Sequence, residues 1–469
     1  MDEYDRLLWS AVDQGDVASM ETCLSSMSDP NVYLNRIYEV RQDRCTLLMR
    51  ACLKGQENIV HMLLSSFKPD LEVLNTITIM NRNDTFVTYD DITVLCAAVV
   101  INYFLMVEEL IEHGARINHT TRDKSTPIRY ACYNGNHVMV RYLVENGADI
   151  RMNIDNQETN LALSVRHGYF QVTAYLVDEL GCDVNECGNT GRSLLYSAVE
   201  CKSLELVRFL LDYGLRNFPS TNDLMSPLML AAETRCSEIV EEISIYCSLL
   251  EWIEAEELLG SAFACIEYGP CDLRQSYEHY YRALQLRSLH NLPKVLKQST
   301  NEIFNDRQEC QTIDQLEELR LNHEDMYIEA LLIRERLLGP TSDKYHASLI
   351  YRGIGLMHNA QFHQTLAFWL YELRLCQQYS LMIDPEYLRL FTLLFSEMSL
   401  ASMTVSIDTI LTIISAVIGE MKCNQEEIDY HLYTLLFLIT AISQVLRIGE
   451  RYRFFTSNFS LALNRGTRL

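Results

Sequence analysis

A spacing of about 33 residues recurs through the first half of the chain, and it limits what the chain can fold into more than any other feature. Placed in register on Pro127, the sequence reads Val94, Pro127, Asn160, Leu194 and Pro227, with successive differences of 33, 33, 34 and 33 by subtraction. The flanking residues recur as well: Cys96-Ala97-Ala98, Tyr130-Ala131-Cys132, Leu163-Ser164-Val165, Tyr196-Ser197-Ala198-Val199 and Leu230-Ala231-Ala232. The segment from Asp123 to Asp149 shows one unit in full. Thr126-Pro127 opens a helix, with Thr at the cap and Pro at the first helical position, where its missing N–H costs nothing. Ile128, Ala131 and Cys132 share one face of that helix. Asn134-Gly135 breaks it, since both residues tolerate positive φ. Val138, Val140, Tyr142 and Leu143 then follow amphipathic spacing. Asn146-Gly147-Ala148-Asp149 closes the second helix with Gly at its terminus.

Helix, turn, helix and Gly-Ala-Asp loop at this period make the ankyrin unit. Its second-helix ending returns in Leu110–Ala115, Leu143–Ala148 and Leu210–Gly214. An opening repeat over Leu7–Leu24 lacks the Thr-Pro start, as terminal repeats commonly do because one face meets water. A second unit runs from Cys45 through Gly55 to Leu64. Leu47 and Val94 are 47 residues apart by subtraction, so extra chain is inserted within 68–91. Its tip, Met80 to Asp91, mixes polar and aromatic residues. Repeat insertions project from one face, often the binding face, and this large interruption reads as a binding element rather than as a tolerated surface loop. The stretch Phe218–Asn222 reads as a loop before a last unit starting at Ser226-Pro227-Leu228. The array then covers residues 1–248 in about seven repeats.

After Ser248 the period stops while helical texture continues. The patterning predicts helices over Glu254–Ile266, Leu273–Leu289, Ile313–Leu338, Lys344–Met357, Gln361–Gln378 and Pro385–Ser399, followed by two apolar helices near Ile410–Ile418 and Leu435–Leu446. Tyr280–Arg287 and Phe368–Cys376 resemble second helices of tetratricopeptide-type pairs. The expected fold is all-α: an ankyrin-repeat solenoid followed by a tetratricopeptide-like helical domain over 249–450, with a tail at 451–469.

Composition narrows the function. A chain of 469 residues exceeds one hydrophobic core, and 48% hydrophobic residues argue against disorder. The formal charge of −24 argues against nucleic acid, which needs a basic footprint. It suits a cationic or neutral peptide, or simply a solvated acidic surface. Fifteen cysteines are scattered without a Cys-x-x-Cys pair or a zinc-finger spacing. They read as reduced thiols, which points to cytoplasm or nucleus. Met1-Asp2-Glu3-Tyr4-Asp5 is acidic where a signal peptide is basic, and the two late apolar stretches are too short to span a bilayer. No phosphate-binding Gly-rich loop, Gly-x-Ser-x-Gly elbow or His-Glu-x-x-His is present. His137 and His167 lie beside repeat turns, and the neighbouring carboxylates Asp90-Asp91 and Glu108-Glu109 do not face each other on a helix. The expectation is a non-enzymatic binding protein with no catalytic residues, cofactor or metal, and no membrane or nucleic-acid partner.

Three segments together resemble the feminization (Fem) family of ankyrin-repeat proteins, substrate receptors of cullin-2-type cullin-RING ubiquitin ligases. They are Ile117–Val144, Leu258–Phe263 with Tyr280–Leu284, and Glu329–Pro340 with Ile350–Gly353. The third lies outside any ankyrin consensus and is the most specific. The long insertion before the third repeat also fits. The resemblance implies recognition of C-terminal degron peptides, often ending in arginine, in a pocket of the early repeats, with acidic side chains on a guanidinium and donors on the terminal carboxylate. The peptide-binding positions it implies here are Asp84, Thr85, Ser125, Arg129, Tyr133 and Asn134. Of two pocket aspartates in the family, one maps to Thr85 with Asp84 beside it, and the other to Asn134. Ser125 and Arg129 match. Loss of the charge at 134 puts arginine specificity in doubt.

The family continues from its helical region into further ankyrin repeats that carry the cullin-binding box. Here Asn458–Leu463 is similar only to the start of that segment, which reads as a C-terminally short member, so recruitment of elongin and cullin is not implied. Two readings follow: a ligase substrate receptor whose partners are proteins offering C-terminal peptides, or an ankyrin interaction scaffold with no ligase role.

Overall fold

The computed structural model describes residues 3–40, 43–80, 85–152, 158–185, 192–215, 225–265, 271–296, 301–401, 403, 407–423 and 435–436. The chain divides into two compact units, Met1–Leu230 and Ala231–Leu469. The predicted helix at Leu435–Leu446, the tail at 451–469 and the loop at Phe218–Asn222 fall outside the described residues, apart from 435–436.

In the first unit, α1 (Glu3–Gln14) and α2 (Val17–Ser25) form the opening pair, followed by the short α3 (Asn31–Leu34). Strands β1 (Tyr38–Val40) and β2 (Asp43–Cys45) lead into α4 (Leu47–Leu53) and α5 (Glu57–Met62), the latter running on into a π turn over Leu63–Phe67. The insertion is not a loop. Its residues pair as an antiparallel hairpin, β3 (Asn75–Met80) with β4 (Phe86–Ile92), in the register Ile77 to Tyr89 and Met80 to Phe86, with a bulge between Asn75 and Ile77. Thr, Ile and Val at alternate positions fit a pleated, half-buried surface, which is why this segment extends instead of coiling. β2 pairs with β3, so the sheet order is β1-β2-β3-β4.

The regular repeats follow as α6 (Val94–Val100) with α7 (Phe104–Glu112), α8 (Pro127–Asn134) with α9 (His137–Glu145), α10 (Asn160–Arg166) with α11 (Phe170–Ala174), α12 (Leu194–Glu200) with α13 (Leu204–Asp212), and α14 (Pro227–Glu233) with α15 (Ser237–Ser244). Their starts are built alike. The hydroxyls of Thr46, Thr93, Thr159 and Ser193 each accept the N–H three residues on, from Met49, Cys96, Ala162 and Tyr196. Thr126 is the exception: its side chain makes no cap bond, and Pro127 alone presets the helical φ. Small buried residues on the first helices (Ala51, Cys52, Ala97, Ala98, Ala131, Cys132, Ala198) let successive helices lie close. Burial pushes the thiols of Cys52, Cys96 and Cys132 up to about 12, so they pack as small hydrophobes.

The second unit switches to long helices: α16 (Leu249–Ala264), α17 (Leu273–His290), α18 (Ile313–Leu319), α19 (His323–Leu338), α20 (Asp343–His358), α21 (Phe362–Tyr379), α22 (Pro385–Leu400) and α23 (Ile407–Cys423). The expected single helix over Ile313–Leu338 is two, because Asn322 caps α19 by accepting the amides of Glu324 and Asp325. Two close approaches fix the packing. A Cβ on Gly260 would meet the Tyr280 ring at 2.6 Å, and one on Gly353 would collide with Trp369. Trp369 fills that gap and donates its Nε1–H to the Ile350 carbonyl at 3.1 Å.

A buried ion network lies inside this unit. Glu257 accepts from Arg287 (2.7 and 2.9 Å) and from Arg336 (2.6 Å). Arg336 also donates to Glu309 (2.8 Å), and Lys294 lies among Glu309, Glu257 and Glu329 at 3.3, 3.5 and 3.8 Å. Glu329 accepts the Cys310 amide at 2.9 Å, and Arg334 pairs with Glu233. Among the described residues, no helix is long and apolar enough to cross a membrane, and the cysteines whose side chains are described form no disulfide.

Candidate functional site

The inserted hairpin is anchored beside the loop that precedes α8. The Arg122 amide donates to the Asp90 carbonyl at 3.2 Å, its guanidinium lies 3.4 Å from the Asp90 carboxylate, and His119 contacts the Asp91 carbonyl at 3.2 Å. Docking brings Tyr89 of β4 edge-on to the buried Tyr130 of α8, with ring centroids 5.8 Å apart. Burial first, and then the nearby Tyr133 and Asp123, hold the Tyr89 phenol above its ordinary range. Strand β4, the loop at 121–125 and the first helices α8 and α10 therefore share one patch.

Asp123 is the fixed acid of that patch. It accepts from the Thr121 hydroxyl and from Ser125 Oγ at 2.9 Å. Partial burial opposes ionisation, but these hydroxyls and the Ser125 amide outweigh it and hold the carboxyl below the usual range. The residue itself is exposed.

Arg129 is the cation. Half-buried on α8, it donates Nη1–H to the Glu158 carbonyl at 2.6 Å. Burial pushes its guanidinium down from the ordinary value, partly offset by Glu158 and Asp123, while Arg166 adds to the depression. The neighbouring Glu158 carboxylate is taken by Arg166 at 2.9 Å. Among the described residues no carboxylate lies within ion-pair distance of Arg129. Aromatic rings flank it on the array: Tyr133, 42% exposed, meets His167 edge-on at 5.0 Å, and His167 stacks on Tyr169 at 5.8 Å.

The six positions singled out from sequence separate by what their side chains do. Asp84 lies outside the described residues. Thr85 is exposed just before β4. Ser125 is buried and braces Asp123. Asn134 donates Nδ2–H to the carbonyls of Val99 and Val100 at 2.9 and 3.2 Å, covering the end of α6 in the preceding repeat. Arg129 and Tyr133 keep polar or aromatic surface at the patch. Tyr89 and Asp123 join them and were missed from sequence, although the alternation in Phe86–Ile92 signals a strand that would place Tyr89.

An ankyrin-repeat family model matches residues 95–187 and 161–247. The protein named fem-1 homolog A of Rattus norvegicus is 30% identical over 312 residues, covering 58% of this chain and 47% of that protein. Fem-1 homolog A-A of Mus musculus matches to the same extent. Fem-1 homolog C of Danio rerio is 30% identical over 159 residues, 33% of this chain and 25% of that protein. These matches support reading the chain as a divergent relative of the Fem-1 proteins. It spans about half the length of the curated relatives it matches first.

The structure gives the run Glu329–Pro340 a physical reading. Three of its four charged residues, the buried Glu329 and Arg334 and the part-buried Arg336, are paired groups of the second unit, so they cannot vary singly without stranding a charge. At position 134, where the resemblance implies an aspartate, this chain has an amide that bonds across the repeat junction.

Proposed function

We propose that this relative of the Fem-1 proteins is a non-catalytic substrate-recognition subunit of a cullin-RING ubiquitin ligase, holding the C-terminal peptide of a substrate protein against the ankyrin array. The observation that carries the reading is Arg129: a half-buried guanidinium with no carboxylate in ion-pair distance among the described residues, beside exposed aromatic surface. A guanidinium offers paired N–H donors that match a carboxylate. Tyr133 and Tyr89 supply apolar walls for the last side chains, and Asp123, ionised at neutral pH, suits a basic side chain near the terminus. The formal charge of −24 favours approach of cationic peptides.

The test uses the full chain and a fluorescent peptide carrying a basic residue near its free C-terminus. Arg129→Met keeps the aliphatic stem and removes the donors, and should weaken binding about 10- to 100-fold, the range for a hydrogen bond to a charged group. Unchanged affinity contradicts the assignment. Capture of elongin and cullin by the chain supports the ligase role; peptide binding without that capture favours the interaction-scaffold reading.

A further inference from the structure

Apart from the groove, three metal-ligating side chains converge inside the second unit. His346 on α20 and Glu372 and Cys376 on α21 are all buried. Glu372 and Cys376 are four residues apart, so one turn presents both on the same face. Nδ1 of His346 lies 3.3 Å from Glu372 Oε1 and 3.8 Å from Cys376 Sγ, and Sγ lies 3.0 Å from the same carboxylate oxygen. Zinc bonds of about 2.3 Å to sulfur and about 2.0–2.1 Å to nitrogen and oxygen, at tetrahedral angles, place such ligand atoms about 3.3–3.6 Å apart. The sides of the triangle, 3.0–3.8 Å, bracket that range.

Two further features point to a ligand. Nε2 of His346 lies 2.9 Å from the Pro340 carbonyl, an acceptor only, so this nitrogen carries a proton and Nδ1 is the nitrogen that faces Glu372 and Cys376, with a lone pair to offer once the ring is neutral. Metal-bound histidines are oriented in this way by a backbone acceptor. Glu372, 2% exposed, has its second oxygen Oε2 buried without a hydrogen-bond partner, and among the described residues no lysine or arginine pairs with it. A buried carboxylate in that position calls for a cation.

We propose that His346 Nδ1, Glu372 and the Cys376 thiolate bind one divalent transition metal of the zinc type, the mixed nitrogen, oxygen and sulfur set being suited to it. On binding, two protons leave to solvent: one from the Cys376 S–H bond as the sulfur–metal bond forms, and one from His346 Nδ1–H, which frees the nitrogen lone pair. His346 contributes its lone pair and Glu372 its carboxylate, and no electron is transferred. A fourth position stays open to water. The bound ion ties α20 to α21. Without it, the same three groups hold two protons instead: an imidazolium–carboxylate pair, with the thiol donating to Glu372.

Cobalt titration of the full chain, stripped with a chelator and kept reduced without added thiol, distinguishes the two. One Co²⁺ per chain, a thiolate-to-cobalt charge-transfer band and tetrahedral d–d bands displaced by Zn²⁺ are expected. C376S should abolish the charge-transfer band, while C271S, at an exposed cysteine, should leave it unchanged. H346Q and E372Q should each weaken binding at least about 100-fold, more than loss of an outer-shell partner does. They also carry the test if C376S fails to fold. A parent chain with no thiolate band, or a band that survives these substitutions, overturns the site.

Discussion

Gly135 offers a quantitative check on how the array presents its binding surface, because it closes α8 directly after Tyr133 and Asn134. Its φ is +69°, and a Cβ built on it would lie 2.6–2.7 Å from three atoms of the Tyr169 ring. Gly147 closes α9 in the same repeat with φ +94°, yet a Cβ there would meet nothing within 4 Å. The pair separates backbone strain from packing. Alanine in the left-handed region costs about 1–2 kcal/mol, offset by about 0.4–1 kcal/mol from a less flexible unfolded chain. Gly147→Ala should therefore destabilise by about 0.5–1 kcal/mol. Gly135→Ala adds overpacking against Tyr169, about 1–3 kcal/mol more, and the ring can yield only by disturbing its stack on His167. The two changes should differ by about 1–3 kcal/mol in urea midpoints followed by circular dichroism. Adding Tyr169→Ala should return the cost of Gly135→Ala to the Gly147→Ala value, measured as a double-mutant cycle. Equal losses at the two glycines, or no coupling to Tyr169, would refute the assigned turn.

Asn134→Asp should lose about 2 kcal/mol in the same denaturation assay, because a carboxylate cannot donate to the Val99 and Val100 carbonyls; a neutral substitution would show that the junction bonds contribute little. Glu257→Gln should destabilise by about 3–5 kcal/mol, as expected on breaking a buried ion pair, read by chemical denaturation. The native Glu257 carboxyl is lowered from 4.5 to about 2: burial opposes this, but Lys294, Arg287 and Arg336 prevail. Its contribution is therefore present above pH 4.5 and lost as pH falls towards 2. Glu329, raised chiefly by burial, works in the opposite sense; with the Glu257 contribution removed, the stability of Glu257→Gln should fall less steeply with pH than the parent's in that window.

The repeat array was legible because one short unit states its period, its Pro or hydroxyl start and its Gly finish several times over, and those signals act locally. The inserted segment carries no repeat signature, yet Asn75-Thr-Ile-Thr-Ile-Met80 and Phe86-Val-Thr-Tyr-Asp-Asp-Ile92 hold the alternation of strands that its hairpin realises. Likewise Asn322 with Glu324 and Asp325 was an available start signal for α19. Other features are not local at all. That Asn134 serves the preceding repeat, that Tyr89 reaches the α8 surface, and that Glu329 and Arg336 meet Glu309, Glu257 and Lys294 depend on which elements stack. His346 and Glu372, 26 residues apart on two helices, match no short ligand spacing.

The most direct test of the account is binding of the chain to a peptide library randomised at its last residues, presented in parallel with free and amidated C-termini. Binding that depends on the free carboxylate, is enriched in basic residues near the terminus and is weakened by Arg129→Met is the predicted result. Peptides that bind equally well when amidated, or without regard to Arg129, would contradict C-terminal recognition at this surface.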